Sequence, residues 1–440
     1  MRNLLRLLAA TLILAALACA ETPEDRQAVN PSDSVVLVMT ASGNGSGVII
    51  DARHILTDAH VVWPFIEAGI QLPDGTIAAA TVIGFDRYVD LALLELPESI
   101  ASDLTPVTIA TEVELGQTVT HLGYSHTSDG SLASDARAGT LIDQQSIGDF
   151  EVTLLETNAE VIPGFSGGAL VNGAGELVGI TQFLLVPGRI FALSAVDAIE
   201  RAADLIELAE TQGAPVGHRL EAATATTTFS LNGPRAHAAF LATSAEQFDL
   251  SLSAISGGAI TLAVLDVHGH VVSDTLRTGR GELHITATIP ANTARLAVVG
   301  LRHGDHAFVR IESPVPLQRL LDEDHGQPAI PDGLTFAVLD YPSDIDMFEL
   351  QLPAQGTVLA RVTSLTFDTV LHVELVTPEG AILIASNDDG GTGLFGTNSL
   401  LQFTAPVAGT YRLTVSDAGG SIGHAGGYAL LISSPFVEPQ

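Results

Sequence analysis

Three polar residues in the first half of the chain, His60, Asp90 and Ser166, are of the types that nucleophilic catalysis requires. A serine hydroxyl is a poor nucleophile until a base takes its proton, and histidine is the side chain best suited to do so near neutral pH. A carboxylate behind the histidine holds its tautomer and stabilises the imidazolium. The order His, Asp, Ser therefore predicts acyl transfer, with Ser166 as nucleophile, His60 as base and Asp90 as orienting acid.

Each of these residues lies in a short segment that is weakly informative by itself. His60 follows a strand-like run within TDAHVV, Asp90 begins the run DLALLEL, and Ser166 lies within GFSGGAL. The glycines around Ser166 allow the backbone to turn its N–H groups toward one point. The main-chain N–H groups of Gly164 and Ser166 are therefore predicted to bind an oxyanion, and the three segments together predict one catalytic site.

The same segments carry a resemblance to a known family. The run GSGVII before the histidine, the DLALLEL strand and GFSGGAL followed by VNGAGELVGI resemble trypsin-like serine proteases, most closely the bacterial HtrA/Deg branch without disulfides. The resemblance covers residues 35–210 and implies two six-stranded β-barrels with the site between them. It implies a serine endopeptidase that acts on proteins or peptides without a cofactor. It does not extend to a PDZ domain.

Two residues depart from the pattern of the family. The residue before the nucleophile is usually small, polar or acidic, whereas here it is Phe165, which we expect to point away from the line of attack. Glu160 lies six positions before Ser166. An acid at this offset selects Arg or Lys in the trypsin branch, whereas the HtrA branch usually has a small apolar residue there. Glu160 therefore either binds a basic substrate residue or faces solvent.

The first 34 residues have the composition of a targeting segment. Two arginines precede an apolar run that is too short for an ordinary membrane span, which predicts a signal peptide over residues 1–20. Cys19 is the only cysteine and stands where a lipobox requires one, although ordinary cleavage after Ala20 fits as well. Residues 21–34 are polar and predict a tether. We expect an exported protein: periplasmic, an outer-membrane lipoprotein or extracellular, with membrane contact only through the lipid.

The elements that follow predict a mainly β chain. Short alternating strands fill residues 35–210, and the apolar spacing from Ser194 to Glu210 predicts a closing helix with Ser194 or Asp197 as its cap. Two further β-rich blocks follow, which are weak repeats of each other. The predicted fold is a trypsin-like double β-barrel with a C-terminal helix, followed by two β-sandwich modules at 218–313 and 332–434, joined by a linker at 314–331.

The last block resembles the bacterial pre-peptidase C-terminal (PPC) domain. The resemblance is carried by DIDMFELQLPAQGTV, SNDDGG and NSLLQFTAPVAGTYRLTV, and residues 218–313 look like a degenerate copy. An accessory role in binding, secretion or solubility is expected. Asp344, Asp346, Asp388 and Asp389 lie in two acidic turns that could bind calcium, although Asp and Gly are also ordinary turn residues. No metal ligand set is predicted around the histidines, which include His121, His126, His303 and His306.

Composition limits the other functional classes. The chain of 440 residues has 18 basic residues, all arginine, against 51 acidic ones, giving a net charge of −33. This balance argues against a nucleic-acid partner, which would require a basic face. Two alternatives to the peptidase stay open: a catalytically inactive surface lipoprotein or binding module with a protease fold, and an adhesion module. The sequence does not predict the oligomeric state.

Overall fold

The computed structural model describes most of the chain beyond its N-terminal segment, in two compact units. The described residues are 30–101, 104–182, 190–212, 220–222, 226–233, 235–303, 306–320, 322, 333–378, 380–390, 397–418 and 424–433. The first unit ends with the helix that closes at Gln212, and the second begins with the strand at Leu220. The predicted signal peptide, the lipobox at Cys19 and residues 21–29 of the predicted tether lie outside the described residues.

Six antiparallel strands close the first barrel, in the order β1-β2-β3-β6-β5-β4. A 3-10 turn, Pro31–Ser34, precedes it. Its interior is filled by β-branched and leucine side chains, as expected for strands that alternate inward and outward. The strands are β1 (Val35–Thr40), β2 (Gly43–Ile49), β3 (His54–Thr57), β4 (Glu67–Gln71), β5 (Ile77–Asp86) and β6 (Leu91–Glu95).

The second barrel has the same construction, with six antiparallel strands in the order β10-β11-β12-β9-β8-β7. Leu141, Leu155, Leu170 and Val178 lie in its core. The strands are β7 (Thr118–His126), β8 (Leu132–Ile147), β9 (Val152–Thr157), β10 (Ala169–Asn172), β11 (Leu177–Thr181) and β12 (Ile190–Ser194). The prediction of a mainly β fold with two six-stranded barrels is therefore confirmed.

Helices are few in the described part of the chain, and only the last of them is longer than one turn. They are α1 (Ala59–Val62), α2 (Glu98–Ala101) and α3 (Ala195–Gln212). The Ser194 hydroxyl accepts a hydrogen bond from the main-chain N–H of Asp197, as an N-cap does. The buried side of α3 includes Ala198, Ala202 and Leu205, whereas Val196 is exposed. None of these described helices is long and apolar enough to cross a membrane.

One long strand organises the first β-rich block of the second unit. Strand β16 pairs with β17 along most of its length, with β19 through its first half and with β18 through its second half, and its register shifts between Ser256 and Ile260. The strands thus form one connected sheet around a single core, instead of two separate sheets. They are β13 (Leu220–Ala222), β14 (Thr226–Asn232), β15 (His237–Ala242), β16 (Phe248–Leu265), β17 (Arg277–Ile289), β18 (Arg295–His303), β19 (His306–Glu312) and β20 (Gln318–Leu320).

Strand β20 lies beyond the predicted end of this block at residue 313. It pairs with both β13 and β15, and the preceding Leu317 is buried in the core. Part of the predicted linker 314–331 is therefore a strand of the sheet. The sequence offered no signal for it, because three residues are too few to show an alternating pattern.

Two four-stranded antiparallel sheets form the last block, as predicted for a β-sandwich. One sheet has the order β21-β28-β23-β26 and the other β22-β27-β24-β25, and both contribute to one core that includes Phe348, Tyr411 and Tyr428. Their strands are β21 (Gly333–Leu339), β22 (Asp346–Leu352), β23 (Thr357–Ser364), β24 (Thr369–Thr377), β25 (Gly380–Asn387), β26 (Ser399–Thr404), β27 (Gly409–Asp417) and β28 (Gly426–Ser433).

The core of this sandwich provides a test of packing. Phe348 is fully buried, whereas Phe336 on β21 is 46% exposed. We expect Phe348→Ala to lower the free energy of unfolding by about 3–5 kcal/mol, because the change removes buried surface and leaves a cavity. Phe336→Ala should cost far less. Urea unfolding followed by circular dichroism measures the effect, with the fluorescence of Trp63 as a reference for the first unit. Equal losses in both variants would contradict the described packing.

Candidate active site

Helix α1 places His60 beside the loop that carries Asp90. The main-chain N–H of His60 donates to Oδ1 of Asp90 over 2.9 Å, and its ring Nδ1 lies 2.7 Å from Oδ2 of the same carboxylate. Because an ionised carboxylate only accepts hydrogen bonds, Nδ1 carries the proton and Nε2 is the basic nitrogen of the neutral ring. The His60 side chain is 35% exposed, so the ring remains accessible from solvent.

The Asp90 carboxylate is held in a buried turn just before β6. Its backbone has φ +53°, a left-handed conformation that Asp tolerates better than most residues. The side-chain amide of Gln182, which follows the last residue of β11, donates to the main-chain carbonyl of Val89. The second barrel thereby supports the turn that positions the acid of the first barrel.

A second carboxylate, that of Asp58, lies next to this pair. Asp58 is fully buried, and its Oδ2 is 4.0 Å from Nδ1 of His60. Burial and the nearby charge of Asp90 raise the pKa of Asp58 well above its ordinary value. For His60, burial opposes protonation, but the charge and hydrogen bond of Asp90, together with Asp58, outweigh it and raise the pKa to about 9. Sequence analysis assigned no role to Asp58, although its position two residues before His60 was a signal.

Two glycines shape the loop around Ser166. Gly164 has φ +106° and Gly167 has φ +80°, and a Cβ at either position would lie 2.3 Å from a main-chain oxygen. Glycine is therefore required at both positions. Within the described residues, neither the N–H of Gly164 nor that of Ser166 donates a hydrogen bond, whereas the N–H of Gly167 donates to the carbonyl of Thr181. Two N–H groups beside a partly exposed serine are thus available to an incoming oxyanion.

Ser46 fastens this loop to the first barrel. Its hydroxyl donates to the carbonyl of Gly164 over 2.7 Å and accepts from the main-chain N–H of Tyr124 over 2.8 Å. Its own main-chain N–H donates to the carbonyl of Ser166 over 2.8 Å. The side chain is fully buried. Sequence analysis noted only that the GSG run lies near the histidine segment and missed this role, because the contact spans 118 residues.

The two departures from the family pattern have different surroundings. The Phe165 side chain is buried, and its ring packs against Gly123 on β7. Glu160 is exposed in the segment between β9 and the serine loop. Solvent therefore screens the Glu160 charge, in the way expected of the solvated alternative. Whether Glu160 binds a basic substrate residue stays a prediction.

The other histidines that the sequence singled out lie apart from this site. His121 is buried between the hydroxyls of Thr181 and Thr157, each 2.8 Å from a ring nitrogen, and burial lowers its pKa to about 4. It is thus a neutral core residue. His126 and His306 are exposed, and the side chain of His303 lies outside the described part of the structure.

The four acids with a predicted calcium role occupy two kinds of surroundings. Asp344 and Asp346 are fully buried, whereas Asp388 and Asp389 are exposed after β25. Among the described residues, these four do not form a group of converging ligand atoms. Asp388 and Asp389 instead lie near Asp368, whose pKa is raised to about 6 by burial and by the charges of Asp389, Asp417 and Asp388. Calcium binding at these turns stays a prediction.

Comparison with known proteins finds similarity in the first unit. Residues 45–180 match the family model of the trypsin-like peptidase domain. Serine protease Do-like HtrA of Lactococcus lactis is 30% identical over 192 residues, which cover 39% of this chain and 46% of the relative. Periplasmic pH-dependent serine endoprotease DegQ of Escherichia coli is 36% identical over 156 residues, which cover 33% of this chain and 32% of the relative. The matches thus span less than half of these relatives. The protease part of the sequence interpretation is confirmed at the level of the family, and the PPC assignment stays a prediction.

The three hydrogen bonds of Ser46, called here the Ser46 joint, should contribute measurably to the free energy of unfolding. We expect Ser46→Ala to lower the free energy of unfolding by about 1–3 kcal/mol, because the change leaves the buried N–H of Tyr124 and the carbonyl of Gly164 without this partner. Ser128→Ala, on an exposed turn, should change it by less than about 0.5 kcal/mol. Urea unfolding of both variants measures the difference. An effect of Ser46→Ala no larger than that of the control would contradict the joint.

The charge of Asp58 should act on the histidine. We expect Asp58→Asn to lower the pKa of His60, because an anion near the ring favours the imidazolium form. Asp90→Asn should lower the pKa of His60 further, since the charge and hydrogen bond of Asp90 raise that pKa more than the charge of Asp58 does. Titration of the imidazole resonances by NMR measures both shifts. Asp51→Asn is the matched control, since Asp51 contacts His54 instead. A pKa of His60 that is unchanged in Asp58→Asn would show that Asp58 stays protonated throughout the titration.

Proposed function

We propose that the protein is an exported serine endopeptidase that cleaves peptide bonds through an acyl-enzyme, with His60, Asp90 and Ser166 as its catalytic residues. The observation that carries the proposal is the pair of hydrogen bonds, 2.9 and 2.7 Å, by which Asp90 fixes the backbone and ring of His60. In the deprotonated ring, whose share grows as the pH rises toward the His60 pKa of about 9, these bonds set the tautomer whose Nε2 can take a proton from serine. The two available N–H groups beside Ser166 support the same proposal.

The chemistry follows from this arrangement. As Oγ of Ser166 bonds to the scissile carbonyl carbon, its proton passes to Nε2 of His60, and the carbonyl oxygen becomes an anion that accepts hydrogen bonds from the N–H groups of Gly164 and Ser166. The imidazolium, stabilised by Asp90, then protonates the departing amine as the C–N bond breaks. In the second half, water attacks the ester carbonyl and gives its proton to His60. The ester C–O bond to Oγ then breaks, the carboxylic acid product leaves, and His60 returns the proton to Oγ of Ser166.

Protein or peptide substrates are proposed from the relatives, which are named serine proteases or endoproteases. An exported location is proposed from the apolar N-terminal run and from the periplasmic relative. Glu160 offers a weak preference for Arg or Lys before the scissile bond. Because exposed charge pairs contribute about 1 kcal/mol at most, this preference is about fivefold or less.

The β-rich blocks of the second unit are proposed to be accessory modules of the PPC type. Exposed apolar side chains on their strands, such as Ile255, Phe308 and Ile382, offer surface for binding. The peptidase needs no cofactor in this proposal. Calcium at the acidic turns would stabilise the last sandwich and would leave the peptidase chemistry unchanged.

The catalytic residues should act as one unit. We expect Ser166→Ala and His60→Ala each to lower kcat for casein or a peptide substrate by about 10³-fold or more, and the double variant to be hardly slower, since either change disables proton-coupled attack. A fluorophosphonate probe should label the wild type and Ser128→Ala, but not Ser166→Ala. Melting temperatures identify any variant that has failed to fold.

The result that would overturn the proposal is equally specific. A folded wild type that neither cleaves substrates nor reacts with the probe would support the inactive binding module instead. Substantial cleavage by purified Ser166→Ala would reject this assignment of the nucleophile.

A further inference from the structure

A histidine and two aspartates from separate segments meet inside the second unit. His237 lies at the start of β15, Asp322 follows β20, and Asp344 lies in the turn between β21 and β22 of the last sandwich. Ring Nε2 of His237 is 3.0 Å from Oδ2 of Asp322 and also contacts Oδ1 of Asp344. One ligand atom from each residue lies within 4.8 Å of the other two. The three side chains therefore converge on one point between the two β-rich blocks.

The hydrogen bond of ring Nδ1 determines whether Nε2 of the neutral His237 ring carries a proton. Ring Nδ1 of His237 lies 2.9 Å from the main-chain carbonyl of Arg235 and must therefore carry a proton. In the neutral ring, Nε2 then has a lone pair aimed at two carboxylates, which repel it. A cationic centre, either a second proton or a metal ion, must lie between these groups. A backbone hydrogen bond on the far ring nitrogen is also the usual support of a metal-binding histidine.

Burial decides how much positive charge is needed. The side chains of His237 and Asp322 are 4% and 13% exposed, and that of Asp344 is fully buried. The neighbouring Tyr341 is also close to Asp340 and Asp346, so the region is strongly anionic. The guanidinium of Arg235 lies 2.8 Å from Glu374 and is thus paired elsewhere. Because buried charges need compensation, a divalent ion at this point would balance the two carboxylates without a proton on Nε2.

The Asp344 carboxylate is itself held in place. It accepts hydrogen bonds from the main-chain N–H groups of Asp340 and Ile345, over 2.5 and 2.9 Å. These bonds orient one oxygen toward His237 before any ion arrives. A ligand that is oriented in this way loses little conformational entropy on binding, which favours a specific site.

We propose that His237, Asp322 and Asp344 bind a zinc ion that clamps the two β-rich blocks of the second unit together. One imidazole nitrogen and two carboxylate oxygens are a zinc ligand set, and water supplies the fourth position of the tetrahedron. Zinc fits this set better than calcium, which takes six to eight oxygen ligands, because one of the three ligand atoms is a ring nitrogen. This site involves none of the proposed catalytic residues, so either proposal can fail while the other stands.

The test uses the purified full chain, stripped with a chelator and dialysed against zinc. The wild type should retain one zinc ion that His237→Gln and Asp344→Asn both lose. His270→Gln is the matched control, because its ring pairs with Asp266 but is 76% exposed, and His60→Ala removes the buried His–Asp pair of the first unit. Both controls should keep the ion. Zinc should raise the melting temperature of the wild type by about 5 °C or more.

Two measurements keep the test independent of variants that fail to fold. Cobalt added to the stripped wild type should give the visible absorption of a four-coordinate site without thiolate, and zinc, but not millimolar calcium, should abolish it. Zinc content that is equal in His237→Gln and in wild type would overturn the proposal. A wild type that retains no zinc and melts at the same temperature with and without it would also overturn it, leaving His237 as an imidazolium paired with two carboxylates.

Discussion

The docking of the serine loop on the first barrel is the constraint on which the proposed site depends. His60 and Asp90 belong to one barrel and Ser166 to the other, so no local sequence preference can align them. Ser46 makes the alignment through three hydrogen bonds, two to the serine loop and one to β7. Since Ser46 and Tyr124 are buried, losing one of these bonds leaves polar atoms that have little access to water. These bonds therefore hold the serine loop in one position, as catalysis by Ser166 would require.

The requirement for glycine in the serine loop follows from the same joint. At Gly167, a Cβ would lie 2.3 Å from the carbonyl of Ser46 and from the hydroxyl of Thr57, which itself donates to that carbonyl. The loop thus approaches the first barrel more closely than any other residue would allow. At Phe165, by contrast, a large side chain is accommodated, since its buried ring packs against Gly123 on β7. A large residue before the nucleophile is accommodated because it packs inward, away from solvent.

Buried carboxylates recur in this acid-rich chain, and several lie beside a basic side chain or hydrogen-bond donors. Asp90 accepts hydrogen bonds from the main-chain N–H and the ring of His60. Asp346 accepts a hydrogen bond of 2.6 Å from the hydroxyl of Tyr428. Asp344 has two main-chain N–H donors and faces His237. The partners of these carboxylates decide which buried acids are ionised, because desolvation alone would keep such acids neutral.

By itself, the sequence determined the mainly β fold, the closing helix and the three segments that hold His60, Asp90 and Ser166, and its resemblance to a known family implied the two barrels. Strand alternation, helical spacing and glycine requirements are local, so they can be recognised within a few residues. Only the tertiary structure decided the role of Ser46, the burial of Asp58 beside His60, the strand at Gln318–Leu320 and the meeting of His237 with Asp322 and Asp344. These features join residues far apart in the chain. Their chemistry depends on burial and on distances between elements, which sequence spacing does not encode.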